Sequence, residues 1–148
     1  MKHLVTEIKI DAPTDVVWNV LTDLAAYPTW NPFIVEAVGN AVVGTKLKNR
    51  LEPPGGKSMT FKPTVTVVDP EARFEWLGVL GVRGLFDGRH IFELEANGDS
   101  TKFVHREEFT GIVVPLFARS LEKGTKAGFE AMNQAIKERA EALANERG

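Results

Sequence analysis

The stretch LFARSLEKGTKAGFEAMNQAIKERAEALAN, residues 116–145, decides the fold. Within it Phe117, Leu121, Thr125, Gly128 or Phe129, Met132, Ile136, Ala140 and Leu143 recur every three or four residues, the spacing of one helix face. Pro115 just before them suits a first helical turn. A helix from about Leu116 to Asn145 would run roughly 45 Å at 1.5 Å per residue. In a chain this small, such a helix needs a sheet to lie along. Lys137, Glu138, Arg139 and Glu141 read as its solvated face.

Upstream of it, residues 33–110 hold no helical run long enough for a parallel crossover, so their strands are antiparallel. The strand runs are Phe33 to Val38, Thr45 to Glu52, Met59 to Val68, Ala72 to Leu77, Gly88 to Ala96 and Ser100 to Thr110. Turn residues separate them: Gly39-Asn40 with Gly44, Pro53-Pro54-Gly55-Gly56, Asp69-Pro70-Glu71, the glycine-rich Gly78 to Gly84, and Asn97-Gly98-Asp99. At the start of the chain Leu4, Thr6, Ile8 and Ile10 alternate with Val5, Glu7 and Lys9, which marks a first strand. Pro13 and Asp15 then open a helix carrying Val17, Leu21 and Leu24, and a second short helix precedes Trp30. The expectation is an α+β fold over residues 1–148 as a single domain. It has a curved seven-stranded antiparallel sheet, two short helices after strand 1 and a long C-terminal helix.

Bulk properties narrow the function classes. The 148 residues carry 18 basic and 20 acidic side chains, net −2, which offers no electrostatic footprint for nucleic acid. The absence of cysteine removes disulfides, thiolate metal sites and cysteine nucleophiles. No run approaches the ~20 apolar residues that span a bilayer, so stable membrane insertion is not expected. A cytoplasmic protein is. There is no GxGxxG after a strand and no GxxxxGK[ST], hence no signature for dinucleotides or phosphoryl transfer.

The element order, with Ile10-Asp11-Ala12-Pro13, Val17-Trp18, Leu21-Thr22-Asp23 and Tyr27-Pro28-Thr29-Trp30-Asn31-Pro32, resembles the START-like or SRPBCC superfamily in its polyketide cyclase/dehydrase-like bacterial branch. Gly88-Arg89-His90-Ile91-Phe92-Glu93-Leu94 and the Gly124-Thr125, Gly128-Phe129 and Met132-Asn133 pattern extend the resemblance over nearly the whole chain. It implies a helix-grip fold whose cavity holds lipids, sterols, polyketides or aromatic ligands in various members. It carries over no shared catalytic residue and no cofactor.

Strand alternation assigns the cavity-facing side chains. His90 faces inward with Phe92 and Leu94, while Arg89, Ile91 and Glu93 face solvent. His105 and Glu107 share the inward face of Phe103 and Phe109. Phe74 and Trp76, then Phe61, Val65 and Val67, then Leu47, Asn49 and Leu51 complete an apolar wall with few polar points, the composition of a small-molecule pocket. The candidate ligand-binding residues are Trp30, Asn49, Phe61, Trp76, His90, Phe92, Phe103, His105, Glu107, Gly128 and Met132. For the phenylalanines the competing role is plain packing, and for Gly128 and Met132 it is close helix–sheet contact.

His90, His105 and Glu107 admit three roles: mutual hydrogen bonding, ligand orientation, or acid/base catalysis. Their spacing matches no compact metal motif, so no metal is assigned. The segment Gly78 to Gly88, with Val79, Leu80, Val82, Leu85 and Phe86, reads as a lid or cavity mouth, with Pro53-Pro54-Gly55-Gly56 as a second rim. A homodimer contact, or a touch on a membrane surface, stays open for it.

Two functions compete. One is a non-catalytic binder of a hydrophobic small molecule. The other is a cyclase, aromatase or dehydratase in which His90, His105 or Glu107 moves protons. A protein-interaction module working through the glycine-rich loop is a third class.

Overall fold

A computed structural model describes every residue except Ala118, Ser120 and Gly148, and describes Phe117, Leu121 and Glu122 without their side chains. The elements are β1 (Lys2–Ile10), α1 (Thr14–Thr22), a 3-10 turn (Leu24–Ala26), α2 (Tyr27–Trp30), β2 (Ile34–Val38), β3 (Lys48–Leu51), β4 (Met59–Phe61), β5 (Thr64–Asp69), β6 (Arg73–Leu80), β7 (Phe86–Asn97), β8 (Ser100–Thr110) and α3 (Lys126–Arg147). The strands form a five-stranded sheet in the order β1-β8-β7-β6-β5 and a three-stranded sheet in the order β2-β3-β4. Every pairing is antiparallel.

The single seven-stranded sheet expected from the runs is thus eight strands in two sheets. Pro63 explains the split, because a proline has no N–H to give a ladder and interrupts the run that began at Met59. Its carbonyl instead accepts from the Leu47 N–H at 2.7 Å, and a bridge between Lys46 and Thr64 ties the two sheets together.

A bulge between Val65 and Val67 changes which face the following residues occupy. Val65 sits opposite the buried Trp76, but Val67 sits opposite Glu75, and Val68 opposite Phe74 takes the inward place expected of Val67. Ile91 corrects a second expectation, since it is fully buried on the outer face. A closed ring of alternating charge surrounds it. Arg73 bridges Glu75 and Glu93, Arg106 bridges Glu93 (2.7 Å) and Glu108 (3.1 Å), and Arg89 bridges Glu108 (3.9 Å) and Glu75 (2.6 Å). Burial by itself would raise the Glu75 carboxyl, but hydrogen bonds from Arg73, Thr66 and Arg89 outweigh it and hold the group below the usual carboxylate range.

The C-terminal helix also starts later than its periodicity suggests. A 3-10 turn covers Val114–Phe117 and a π turn covers Leu121–Thr125, so regular α-helix begins only at Lys126. Its 22 residues span about 33 Å. Glycine at 124 and 128 weakens the helical preference at this end. Ala118 and Ser120, inside the expected helix, lie outside the described residues, as do the side chains of Phe117 and Leu121. From Gly128 onward the expected face is the observed one: Gly128, Phe129, Met132, Asn133, Ile136 and Ala140 are buried. α3 packs on β1 and α1.

Candidate functional site

The register of the central strands builds one wall of a cavity. Trp76, His90 and Glu107 stand side by side on β6, β7 and β8, and Gly78, Gly88 and Phe109 form the next row. Alternation carries Leu80 and Phe86 into the same face one step further on. Opposite them lie Asn49 and Leu51 of β3, Met59 and Phe61 of β4, the connection Pro53 to Lys57, and Phe33 and Ile34. Lys123, Gly124 and Thr125 of the π turn close a third side. The cavity, open to solvent on one side, measures about 650 Å³, well within the range of small-molecule sites.

On the other side of the Trp76–His90–Glu107 row, the same inward face is solid. Phe92 and Phe103 stack at 5.9 Å, Phe92 and Phe74 at 6.2 Å, and His105 lies flat on Phe129 at 4.0 Å. All five are fully buried. The expected site residues therefore divide. Asn49, Phe61, Trp76, His90 and Glu107 line the cavity. Phe92, Phe103, His105 and Met132 belong to the packed core behind it. At Gly128 the space is taken by Phe33, since a Cβ there would lie 2.3 Å from its ring. Trp30 stands apart on α2, edge-on to Tyr27 at 5.2 Å. The cavity is thus confined to the end of the sheet near the π turn and does not run the length of α3.

Several lining residues escape the sequence reading. Gly78 and Gly88 look like the ends of a mobile loop, yet they pair with each other, and β6 and β7 continue to a tight turn between Leu80 and Phe86. Counting in twos from Trp76 and from His90 would have placed both glycines in the wall. Gly88 leaves room there for the Glu107 carboxylate, since a Cβ would come within 2.4 Å of Glu107 Oε2 and push that flexible end aside. Gly124 has open space around it. For Phe33, Pro63 and Lys123 no periodic signal exists, whereas Thr125 belongs to the helical period read from Phe117 onward.

The polar groups form a chain. Asn133 Nδ2 donates to Thr6 Oγ1 (2.9 Å), which donates to the His105 carbonyl (2.8 Å). Asn133 Oδ1 is therefore the acceptor facing His105 Nδ1 at 2.9 Å, so that nitrogen carries a proton. His105 Nε2 then accepts, and His90 Nε2 at 2.6 Å donates to it. His90 Nδ1 is left facing Glu107 Oε1 at 3.4 Å. One end of the chain is buried at Thr6 and the other reaches the cavity through Glu107.

Burial, with the neighbouring His90 ring second, holds the His105 imidazole well below its usual range despite the Asn133 hydrogen bond. His105 is neutral in the folded chain. Below about pH 6.5 the unfolded chain gains a proton there that the folded chain does not, so stability falls with decreasing pH; above that pH the contribution is complete. The slope from this group grows toward its one-proton limit, roughly 1 kcal/mol per pH unit, as the pH falls below about 6.5. Urea unfolding of the chain and of His105→Gln, compared over that window, measures it. The variant should lose this part of the slope while keeping the part due to carboxylates.

Asn49 is the other polar point. It is 1% exposed, and its Oδ1 has no hydrogen-bond partner in the protein. Leaving a buried amide oxygen unpaired costs about 1–3 kcal/mol, so its place in the cavity wall calls for a ligand-side or functional explanation.

The fold has close counterparts. The family described as "polyketide cyclase / dehydrase and lipid transport" matches residues 1–141. The Zhui aromatase/cyclase from Streptomyces sp. R1128 superimposes with a TM-score of 0.81 at 18% identity, covering 99% of this chain and 98% of its own. A point mutant of norcoclaurine synthase from Thalictrum flavum, in complex with a transition-state analogue, gives 0.72 at 21% identity, with 96% and 95% covered. A START superfamily protein from Mycobacterium smegmatis gives 0.71 at 20% identity, with 95% and 98% covered. Comparison with curated proteins gives no sequence match. These likenesses agree with the START-like architecture and, at such identities, speak for the fold alone.

Proposed function

Because this chain belongs to the polyketide cyclase / dehydrase and lipid transport family, we propose that it binds one hydrophobic small molecule in the 650 Å³ cavity, as a cytoplasmic carrier or receptor. The observation that carries this reading is an apolar cavity with an unpartnered amide oxygen, Asn49 Oδ1, in its wall. A ligand with an apolar body and one or two polar groups matches it, with Trp76, Phe61, Phe109 and Leu51 around the body and Asn49 and Glu107 at the polar groups.

Titration with the neutral fluorophore N-phenyl-1-naphthylamine tests the reading. Saturable one-to-one uptake is expected. Fluorescence that rises without saturation, or not at all, contradicts it. Asn49→Leu separates binding from stability: removing the orphaned amide should leave the fold as stable or stabilise it by about 1 kcal/mol. The same change should weaken ligands that carry a carbonyl or hydroxyl relative to their hydrocarbon counterparts. Thermal unfolding and competition against the fluorophore measure the two effects.

A second reading rests on Glu107, whose carboxylate stands in the cavity wall with His90 behind it. In that reading the pair takes a proton from the carbon beside a ligand carbonyl, the step common to cyclisation and dehydration of polyketide-like compounds. Deuterium exchange into a β-dicarbonyl compound that is abolished by Glu107→Gln would favour it, and exchange equal in the variant would remove it.

A further inference from the structure

Large apolar side chains are exposed together at the cavity end of the molecule. Met59, Val79, Leu80, Val82, Ile112 and Leu116 come from three segments distant in sequence, and Val82, Ile112 and Leu116 are 70%, 81% and 80% exposed. Two of the segments are fastened to each other, since the Ile112 N–H donates to the Gly84 carbonyl (3.1 Å) and the Val113 N–H to the Leu85 carbonyl (3.2 Å). The third adjoins them at the cavity, where Met59 and Leu80 both line the wall. Soluble surfaces scatter such residues singly, so a cluster around a cavity mouth marks a contact surface.

Charge identifies what the surface meets. Residues 52–63, 78–88 and 111–126 contain six cations and three anions, in a chain whose net charge is −2, so the remainder is acidic. Lys57 and Lys123 are exposed at the rim. A symmetric contact with a second copy would bring two such positive faces together, whereas an anionic lipid surface complements both the charge and the apolar tips.

We propose that this end of the molecule docks on an anionic bilayer, with Val82, Ile112 and Leu116 entering the headgroup layer, Lys57 and Lys123 meeting lipid phosphates, and the cavity opening toward the membrane. This goes beyond ligand binding, because it assigns the place where the ligand is exchanged.

Flotation with vesicles of phosphatidylcholine mixed with phosphatidylglycerol, against vesicles of phosphatidylcholine alone, tests it. Binding to the anionic vesicles is expected, weakening as salt is raised. The double variant Val82→Asp with Ile112→Asp should bind them at least about tenfold less, while taking up N-phenyl-1-naphthylamine as before. No binding to anionic vesicles, equal binding by the variant, or a dimer that the same substitutions dissociate each overturns the proposal. Failure of fluorophore uptake in the unaltered chain would instead count against the cavity reading, which keeps the two apart.

Discussion

His105→Leu is expected to destabilise the fold by about 3–5 kcal/mol, read from urea unfolding at neutral pH. The substitution strands the two atoms that His105 now satisfies. Asn133 Oδ1 loses the donor at 2.9 Å and His90 Nε2 loses the acceptor at 2.6 Å, and both side chains are buried, His90 at the edge of the cavity. Each orphaned group costs about 1–3 kcal/mol. The lost stack on Phe129 at 4.0 Å adds about 0.5–1.5 kcal/mol. Adding Asn133→Leu should recover part of the loss, because removing both partners leaves fewer unpaired groups than removing one. A loss below about 1 kcal/mol in the single variant would show that the chain of hydrogen bonds does not hold this part of the core.

Gly88→Leu is expected to lower fluorophore affinity at least about tenfold, or about 1.4 kcal/mol, with stability changed by no more than about 1 kcal/mol. Gly88 is a strand residue outside the left-handed region, so a side chain is tolerated by its backbone. The only atom that its Cβ meets closely is Glu107 Oε2 at 2.4 Å, the free end of a flexible side chain. The leucine would extend into the cavity beside Phe109 and displace the Glu107 carboxylate. Unchanged affinity in a folded variant would place the fluorophore elsewhere.

Much of the architecture is legible in the sequence, because the periods that report helix and strand also report burial. The spacing from Gly128 to Ala140 names the buried face of α3, and alternation correctly sets His90, His105 and Glu107 on the inner face of the sheet. Alternation reports the face that a side chain occupies, however, and not what stands opposite it. Phe92 and His90 are two residues apart on one strand, yet the first is closed over by the core and the second borders open space. That boundary depends on where regular helix begins. The periodicity continues smoothly through 116–125, while the chain there makes 3-10 and π turns.

Ile91 shows another limit, since its burial on the outer face comes from three arginines and three glutamates that close around it from three strands. Single-strand patterns contain no such information. The faces of Val67 and Val68 are hidden for a related reason, because a one-residue bulge has no fixed sequence mark.

The central claim is that the cavity carries a hydrophobic ligand, and native mass spectrometry of the chain purified from its own cells tests it most directly. A bound apolar molecule at one per chain, small enough for about 650 Å³ and released by Gly88→Leu, is the predicted result. A chain that flies bare, and that excludes N-phenyl-1-naphthylamine from the same preparation, would contradict it.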